Sequence, residues 1–162
     1  MMIDATQSSQ ALLLAIAIEK SNATWFHNCA IRFLPYDTAL SELLEELSRE
    51  ELSHRDELIA HYESTYGDLP EVETAPPESL RNYQNGLKDI QRHFFVVDEV
   101  MAHTILEKAL EIERYTHHFY IELKDRVADV ESAAVYGRLS EYEREHQQLF
   151  LKRLENDGDQ GM

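Results

Sequence analysis

Residues 47–54, Leu-Ser-Arg-Glu-Glu-Leu-Ser-His, and residues 139–146, Leu-Ser-Glu-Tyr-Glu-Arg-Glu-His, share the pattern Leu-Ser-x-x-Glu-x-x-His. In each segment a glutamate precedes a histidine by three positions, so on a helix the two side chains lie on one face, about one turn apart. Each pair can therefore direct a carboxylate and an imidazole toward one point. A single pair arises easily by chance, whereas two pairs in matching contexts are much stronger evidence for a shared site.

Apolar residues recur at helical spacing around both motifs and in two further segments. The chain has only 5 Gly and 4 Pro, which favours a few long elements. The predicted long helices run from Ser9 to Arg32, from an Asp37 cap to Tyr66, from an Asp98 cap to Lys124, and from an Asp129 cap through Val130 to Asn156. Gly67 suits a helix C-terminus, residues 67–78 read as a loop, and Ser79 to Phe95 is predicted as a shorter helix.

The two halves of the chain resemble each other. Leu-Ala-Ile-Ala-Ile-Glu, ending at Glu19, matches Lys-Ala-Leu-Glu-Ile-Glu, ending at Glu113, and an aromatic residue follows each glutamate by seven positions. The two Glu-x-x-His motifs are separated by nearly the same number of residues as Glu19 and Glu113. Two helix hairpins of related sequence, joined by a long crossover, are the simplest account. We expect an all-α protein with one domain at residues 1–156 and a flexible tail at residues 157–162.

Charge and cysteine content restrict the function. The net charge of −16 repels phosphate backbones, so we expect no nucleic-acid partner. Cys29 is the only cysteine, which rules out an intramolecular disulfide or a cysteine-based metal site and fits a reducing compartment. The N-terminus does not read as a signal peptide, and the longest apolar run, Ala11 to Ile18, is too short to span a bilayer. We therefore expect a cytoplasmic protein that does not enter a membrane.

Six ionisable residues fall where the apolar stripes should continue, one or two on each long helix. Packed helices lie about 8–10 Å apart, so inward side chains from four helices can meet around two ions. Four buried carboxylates would be very costly unless cations compensate them, and two divalent cations balance four carboxylates beside neutral histidines. The alternative is that these residues face solvent around a wholly apolar interior. The predicted metal ligands are Glu19, Glu51, His54, Glu113, Glu143 and His146.

These six residues follow the ligand pattern known for ferritin-like carboxylate proteins. With the phrases at Ile105–Glu113 and Tyr142–His146, the chain resembles the ferritin-like superfamily and, within it, the rubrerythrin-like di-iron proteins, over nearly its whole length. The resemblance implies a ferritin-like four-helix bundle with a long crossover between helices two and three. It also implies that Glu51 and Glu143 bridge two iron ions, while one glutamate and one histidine of the remaining four bind each iron. Manganese is the alternative metal.

The resemblance further implies a redox protein that reduces peroxide or O2, as a homodimer or larger homo-oligomer. The chain lacks the four cysteines of a rubredoxin-like domain, so an external protein must donate electrons. It also lacks the extra carboxylate on helix three, because Thr116 and His117 occupy the positions three and four after Glu113. Iron oxidation and storage in a shell, a non-enzymatic metal-binding or partner-binding module, and a di-iron oxygenase remain alternatives.

Several nearby residues have simpler explanations. Glu50 and Glu145 are predicted to be surface charges. His117 is predicted to be a supporting partner of a ligand, an alternative ligand, or a solvent-facing or hydrogen-bonded histidine. Tyr120 is predicted to be a core residue, with a hydrogen bond to a site carboxylate or radical chemistry as alternatives. Cys29 is predicted to be a buried, inert thiol. The histidines predicted to lie at the surface are His27, His61, His93, His103 and His118.

Overall fold

The computed structural model describes the backbone of residues 2–93 and 99–160, and the side chains of residues 2–85 and 99–156. Within these ranges every regular element is an α-helix, which confirms the all-α prediction. The helices are α1 (Ala5–Phe33), α2 (Thr38–Tyr66), α3 (Glu78–His93), α4 (Glu99–Arg126) and α5 (Val130–Gln160). In the same ranges no helix is both long and apolar enough to cross a lipid bilayer.

Short polar side chains define where the long helices begin. Asp37 accepts a hydrogen bond from the Leu40 amide at 3.0 Å, and Asp129 accepts one from the Ser132 amide at 2.9 Å, so both predicted caps are confirmed. Asp4 forms a capping box with Gln7, and α1 therefore begins four residues before the predicted start.

The helix ends differ modestly from those predicted. Gly67 ends α2 with φ 93°, a conformation that L side chains rarely adopt. Helix α5 continues to Gln160, past the predicted end at Asn156, because these residues contain no proline and polarity alone does not end a helix. The predicted cap at Asp98 and the predicted end at Phe95 lie outside the described residues.

Side-chain hydrogen bonds give the relative directions of the helices. Ser41 and Ser48 of α2 donate to the carbonyls of Ala30 and Ala23 of α1, so these two helices are antiparallel. In three further helix pairs the residue numbers of the contacts also rise on one helix as they fall on the other. The pairs α4 and α5, α1 and α4, and α2 and α5 are therefore antiparallel as well. Helices α2 and α4 therefore run in the same direction, and α3, which lies between them in the sequence, contacts α1 and α4.

Two apolar clusters fill the space between the four long helices. One contains the C-terminal half of α1, the start of α2 and the N-terminal half of α4, with Phe26, Leu44 and Leu106 fully buried. The other lies around Leu58 and Leu139, toward the opposite ends of the same helices. All six predicted ligands occupy intermediate positions along their helices, so the fold places a polar group between two water-excluding layers.

Candidate metal centre

The structure buries all six predicted ligands. The four glutamates are 0% exposed, and His54 and His146 are 6% and 3% exposed. The alternative in which these side chains face solvent around an apolar interior is therefore wrong. Carboxylates are almost never fully buried unless they are paired with a compensating group. Four of them in one interior require an explanation based on charge.

The buried side chains form two overlapping groups in which one potential ligand atom from each residue lies within 4.8 Å of the others. Glu51 and Glu143 belong to both groups. The first ligand group is Glu19, Glu51, His54 and Glu143, and the second ligand group is Glu51, Glu113, Glu143 and His146. Each group has the composition and spacing to hold a metal ion.

Many polar atoms of these groups lack a hydrogen-bond partner among the described residues. Both carboxylate oxygens of Glu51 and of Glu143 are buried without a partner, as are Oε2 of Glu19, Oε1 of Glu113 and Nδ1 of His54. Buried polar atoms are normally satisfied, because each unsatisfied one costs about 1–3 kcal/mol, and more when it is charged. These atoms are lone-pair donors that converge, so cations would satisfy them.

Both histidines direct the same ring nitrogen toward the glutamates. Nδ1 of His146 lies 3.4 Å from oxygens of Glu51 and Glu113. Nδ1 of His54 lies 3.7 Å from Glu19 Oε2 and 3.8 Å from Glu143 Oε1. The two imidazole rings are nearly parallel, with centroids 6.2 Å apart. Each ring nitrogen that faces the interior is therefore placed to bind the same cation as the carboxylates around it.

Burial and mutual repulsion change the proton affinities of the carboxylates. Burial, followed by the charges of Glu19 and Glu113, raises the pKa of Glu51 well above its ordinary value. Burial also raises the pKa of Glu113, although His146 partly offsets the effect. Burial alone would raise the pKa of Glu19, but the adjacent Glu51 and His54 side chains and the hydrogen bond from Tyr120 outweigh it and lower that pKa. The cluster without metal therefore retains protons that a bound cation would replace.

Tyr120 contributes a polar contact from within the core. Its hydroxyl donates a hydrogen bond to Glu19 Oε1, which confirms the alternative that it contacts a site carboxylate. Burial, and then the nearby Glu19 carboxylate, raise the pKa of Tyr120 well above its ordinary value, so the phenol keeps its proton. His117 is different, because its Nδ1 lies 2.8 Å from the carbonyl oxygen of Ser140 and the residue belongs to neither ligand group.

Glu50 is exposed, as predicted for a surface charge, but it also has a contact with a predicted ligand that was not expected. Its side chain is about half exposed, yet Oε2 lies 2.6 Å from Nε2 of His146, on the side of the ring opposite the ligand group. The hydrogen bond to His146 lowers the pKa of Glu50, so the group is a carboxylate. Sequence spacing did not indicate this contact, because it joins α2 to α5 and depends on how the two helices align. Glu145 is exposed, as predicted.

Asn22 and Thr116 form a second feature that the sequence reasoning missed. Asn22 is fully buried and donates from Nδ2 to Thr116 Oγ1 at 3.0 Å, while Gln84 of α3 donates to Asn22 Oδ1 at 3.1 Å. The two residues follow Glu19 and Glu113 by three positions each, one helical turn from the ligands. That spacing could have been recognised in the sequence. The network of hydrogen bonds connects α3 to α1 and α4, the helices of Glu19 and Glu113.

We expect Asn22→Ala to lower the free energy of unfolding of the metal-free protein by about 1–3 kcal/mol, because it leaves buried partners unsatisfied. Urea unfolding monitored by circular dichroism measures the change. Thr24→Ala is the matched control on the same helix: it is exposed and loses only a hydrogen bond to the Lys20 carbonyl, so its effect should stay within about 0.5 kcal/mol. Equal effects of the two substitutions would contradict a stabilising role for the network.

Other sequence predictions concern residues away from the cluster. Cys29 is fully buried, and burial raises its pKa, so it is an inert thiol as predicted. His27 and His103 are exposed and lie against surface glutamates. His118 is also exposed, whereas His61 is half-buried with Nε2 2.9 Å from Ser132 Oγ. The side chain of His93 lies outside the described residues.

The fold and the site together define an all-helical protein with a buried glutamate and histidine cluster that can hold metal. Comparison with known proteins finds no matching family model, no matching curated protein and no matching solved structure.

Proposed function

We propose that this chain is a ferritin-like four-helix bundle of the rubrerythrin type, with a dinuclear metal centre in a single domain at residues 1–156. The observation that carries the proposal is that the two ligand groups share Glu51 and Glu143. Two carboxylates common to two adjacent groups suit ions that are bridged. The parallel directions of α2 and α4 fit a bundle whose second and third long helices are joined by a crossover.

The residues divide naturally between two ions. Glu51 and Glu143 would contact both, Glu19 and His54 would complete one position, and Glu113 and His146 would complete the other. Four carboxylates and two imidazoles are a hard-to-borderline donor set, which suits iron and also manganese. Two divalent ions would neutralise the four carboxylates and occupy the lone pairs that lack partners in the structure.

We propose that the centre reduces peroxide or O2, for which two ferrous ions would supply two electrons. The chain's own residues provide the surroundings. The apolar clusters on both sides limit access of water, and Tyr120 keeps its phenolic proton and donates a hydrogen bond to Glu19 Oε1. Thr116 and His117 occupy the positions where the resemblance leads us to expect an additional carboxylate, and the Thr116 hydroxyl donates to the Ile112 carbonyl. The chain has one cysteine, so we propose that another protein returns the electrons.

Anaerobic loading with ferrous iron tests this function. We expect two irons per chain by metal analysis, and a near-ultraviolet absorption change when hydrogen peroxide is added, with recovery on adding a reductant. Glu145→Ala is the control, since it removes an exposed carboxylate beside the site. A hollow assembly that accumulates many irons per chain would instead support storage. Two bound irons with no spectral response to peroxide would support a non-enzymatic module.

A further inference from the structure

The internal repeat relates the surroundings of the ligands as well as the ligands themselves. Glu50 directly precedes Glu51, and Tyr142 directly precedes Glu143, so these two residues are equivalent. Phe26 and Tyr120 are also equivalent, because each follows the lone glutamate of its helix by seven positions. In both pairs the chain places chemically different side chains at matching positions. The two metal positions therefore have similar ligands in unequal surroundings.

The histidines differ in what lies behind them. Glu50 Oε2 is 2.6 Å from Nε2 of His146, so that ring can donate its N–H to a carboxylate while Nδ1 faces the ligands. The equivalent residue, Tyr142, instead stacks its ring on His54, with centroids 5.0 Å apart and planes inclined by 30°. A carboxylate behind a histidine ligand increases electron donation to a metal and fixes the ring. Stacking fixes the ring without supplying charge.

The two glutamates that belong to only one group each, Glu19 and Glu113, also differ in their contacts. Here the extra contact is made to Glu19, in the first ligand group, and not to the second group. The Tyr120 hydroxyl donates a hydrogen bond to Glu19 Oε1, which draws electron density away from that carboxylate. Phe26 has no hydroxyl and packs in the apolar cluster, stacked on Phe150. Each lone glutamate also has one buried oxygen without a hydrogen-bond partner among the described residues, Oε2 of Glu19 and Oε1 of Glu113. The other oxygen of Glu113 lies 3.4 Å from Nδ1 of His146, which is itself a proposed ligand atom. Only Glu19 therefore shares its charge with a donor that would bind no metal, so Glu113 offers more electron density than Glu19.

The contacts of the histidines and those of Glu19 and Glu113 both favour tighter binding at the position of Glu113 and His146. We infer, on the basis of the proposed dinuclear centre, that the position of Glu113 and His146 binds the first divalent cation tightly. The position of Glu19 and His54 binds the second cation more weakly and exchanges it faster. Glu50 is the positioning residue that strengthens the first, and Tyr120 is the residue that weakens the second. The asymmetry is built by side chains that do not themselves bind the metal.

Calorimetric titration of the full metal-free chain with Co²⁺ tests the inference, and the visible absorption of Co²⁺ provides an independent signal. We expect two resolved steps. Glu50→Gln should weaken the tighter step by about tenfold and leave the weaker step within about twofold. Tyr120→Phe should strengthen only the weaker step, by a few fold. Glu145→Gln is the matched control, because it removes an exposed charge on α5 and should change neither step.

Glu113→Ala and Glu19→Ala assign the steps, since the first should remove the tighter step and the second the weaker one. Circular dichroism of each variant verifies that it remains helical. Two equal steps in the unsubstituted protein, or a Glu50→Gln effect on the weaker step, would overturn the inference while leaving the dinuclear centre intact. A chain that binds no Co²⁺ at all would overturn the proposed function, and the inference with it.

Discussion

Glu51→Ala is expected to abolish the binding of both metal ions, with a loss of more than about 100-fold in affinity at each position. Loss of a residue that only supports a ligand already costs about 10–100-fold, so loss of a ligand should cost more. Glu51 is fully buried and belongs to both ligand groups. Glu19→Ala, by contrast, removes a ligand from one group only, and one ion should remain bound.

Metal analysis after dialysis measures both variants, and far-ultraviolet circular dichroism verifies that they stay helical. Glu143→Ala is the replicate from the other half of the chain, because Glu143 belongs to the same two groups. Glu145→Ala, two residues away and exposed, should keep full metal content. If Glu51→Ala and Glu143→Ala both retained two metals per chain, the ligand assignment would be wrong.

Much of the fold and site was predictable because it depends on local spacing. Helical periodicity and the aspartates at positions 37 and 129 identify where helices lie and begin, since caps and stripes are properties of one segment. The inward glutamates were predictable for the same reason: Glu19 and Glu113 interrupt stripes that are otherwise apolar. A polar residue on a buried face is informative because its burial is costly without a partner.

The contacts between helices were not predictable in this way. Glu50 is half exposed, so it lies on no apolar stripe, and its contact with His146 depends on the alignment of α2 with α5. Asn22 and Thr116 did lie on the buried face, but their pairing depends on the α1 and α4 alignment. Spacing along one helix says nothing about the axial offset of the next. The unequal surroundings of the two ligand groups therefore became visible only with the helices assembled.

The metal-free protein is expected to lose stability as pH rises from about 5 to 8, which is opposite to the behaviour of the metal-loaded protein. The raised pKa values of Glu51 and Glu113 mean that the folded state holds protons that ordinary glutamates have already released in the unfolded chain. The folded state then binds more protons, so the free energy of unfolding falls with rising pH, by up to about 1.4 kcal/mol per pH unit for each group.

The shifted pKa values of His146 and Glu19 do not reverse this sign. The nearby carboxylates of Glu113 and Glu50 overcome the effect of burial and raise the pKa of His146, so it also binds a proton that the unfolded chain releases above about pH 6.5. Glu19, whose pKa is lowered, loses its stabilising contribution only as pH falls through the acid range below its ordinary value of 4.5. A bound cation displaces the retained protons, and acid then competes with it, so the loaded protein gains stability as pH rises.

Urea unfolding at pH 5, 6, 7 and 8, with chelator or with saturating Mn²⁺, measures the two slopes, because the cation binds the folded chain and not the unfolded one. Glu51→Gln should flatten the slope of the metal-free protein, since its amide neither holds nor releases a proton in this range. The same substitution at the exposed Glu145 should leave the slope unchanged. A metal-free protein that became more stable toward pH 8 would mean that its buried carboxylates are already charged. The cations would then not be needed to hold four negative charges between two apolar layers.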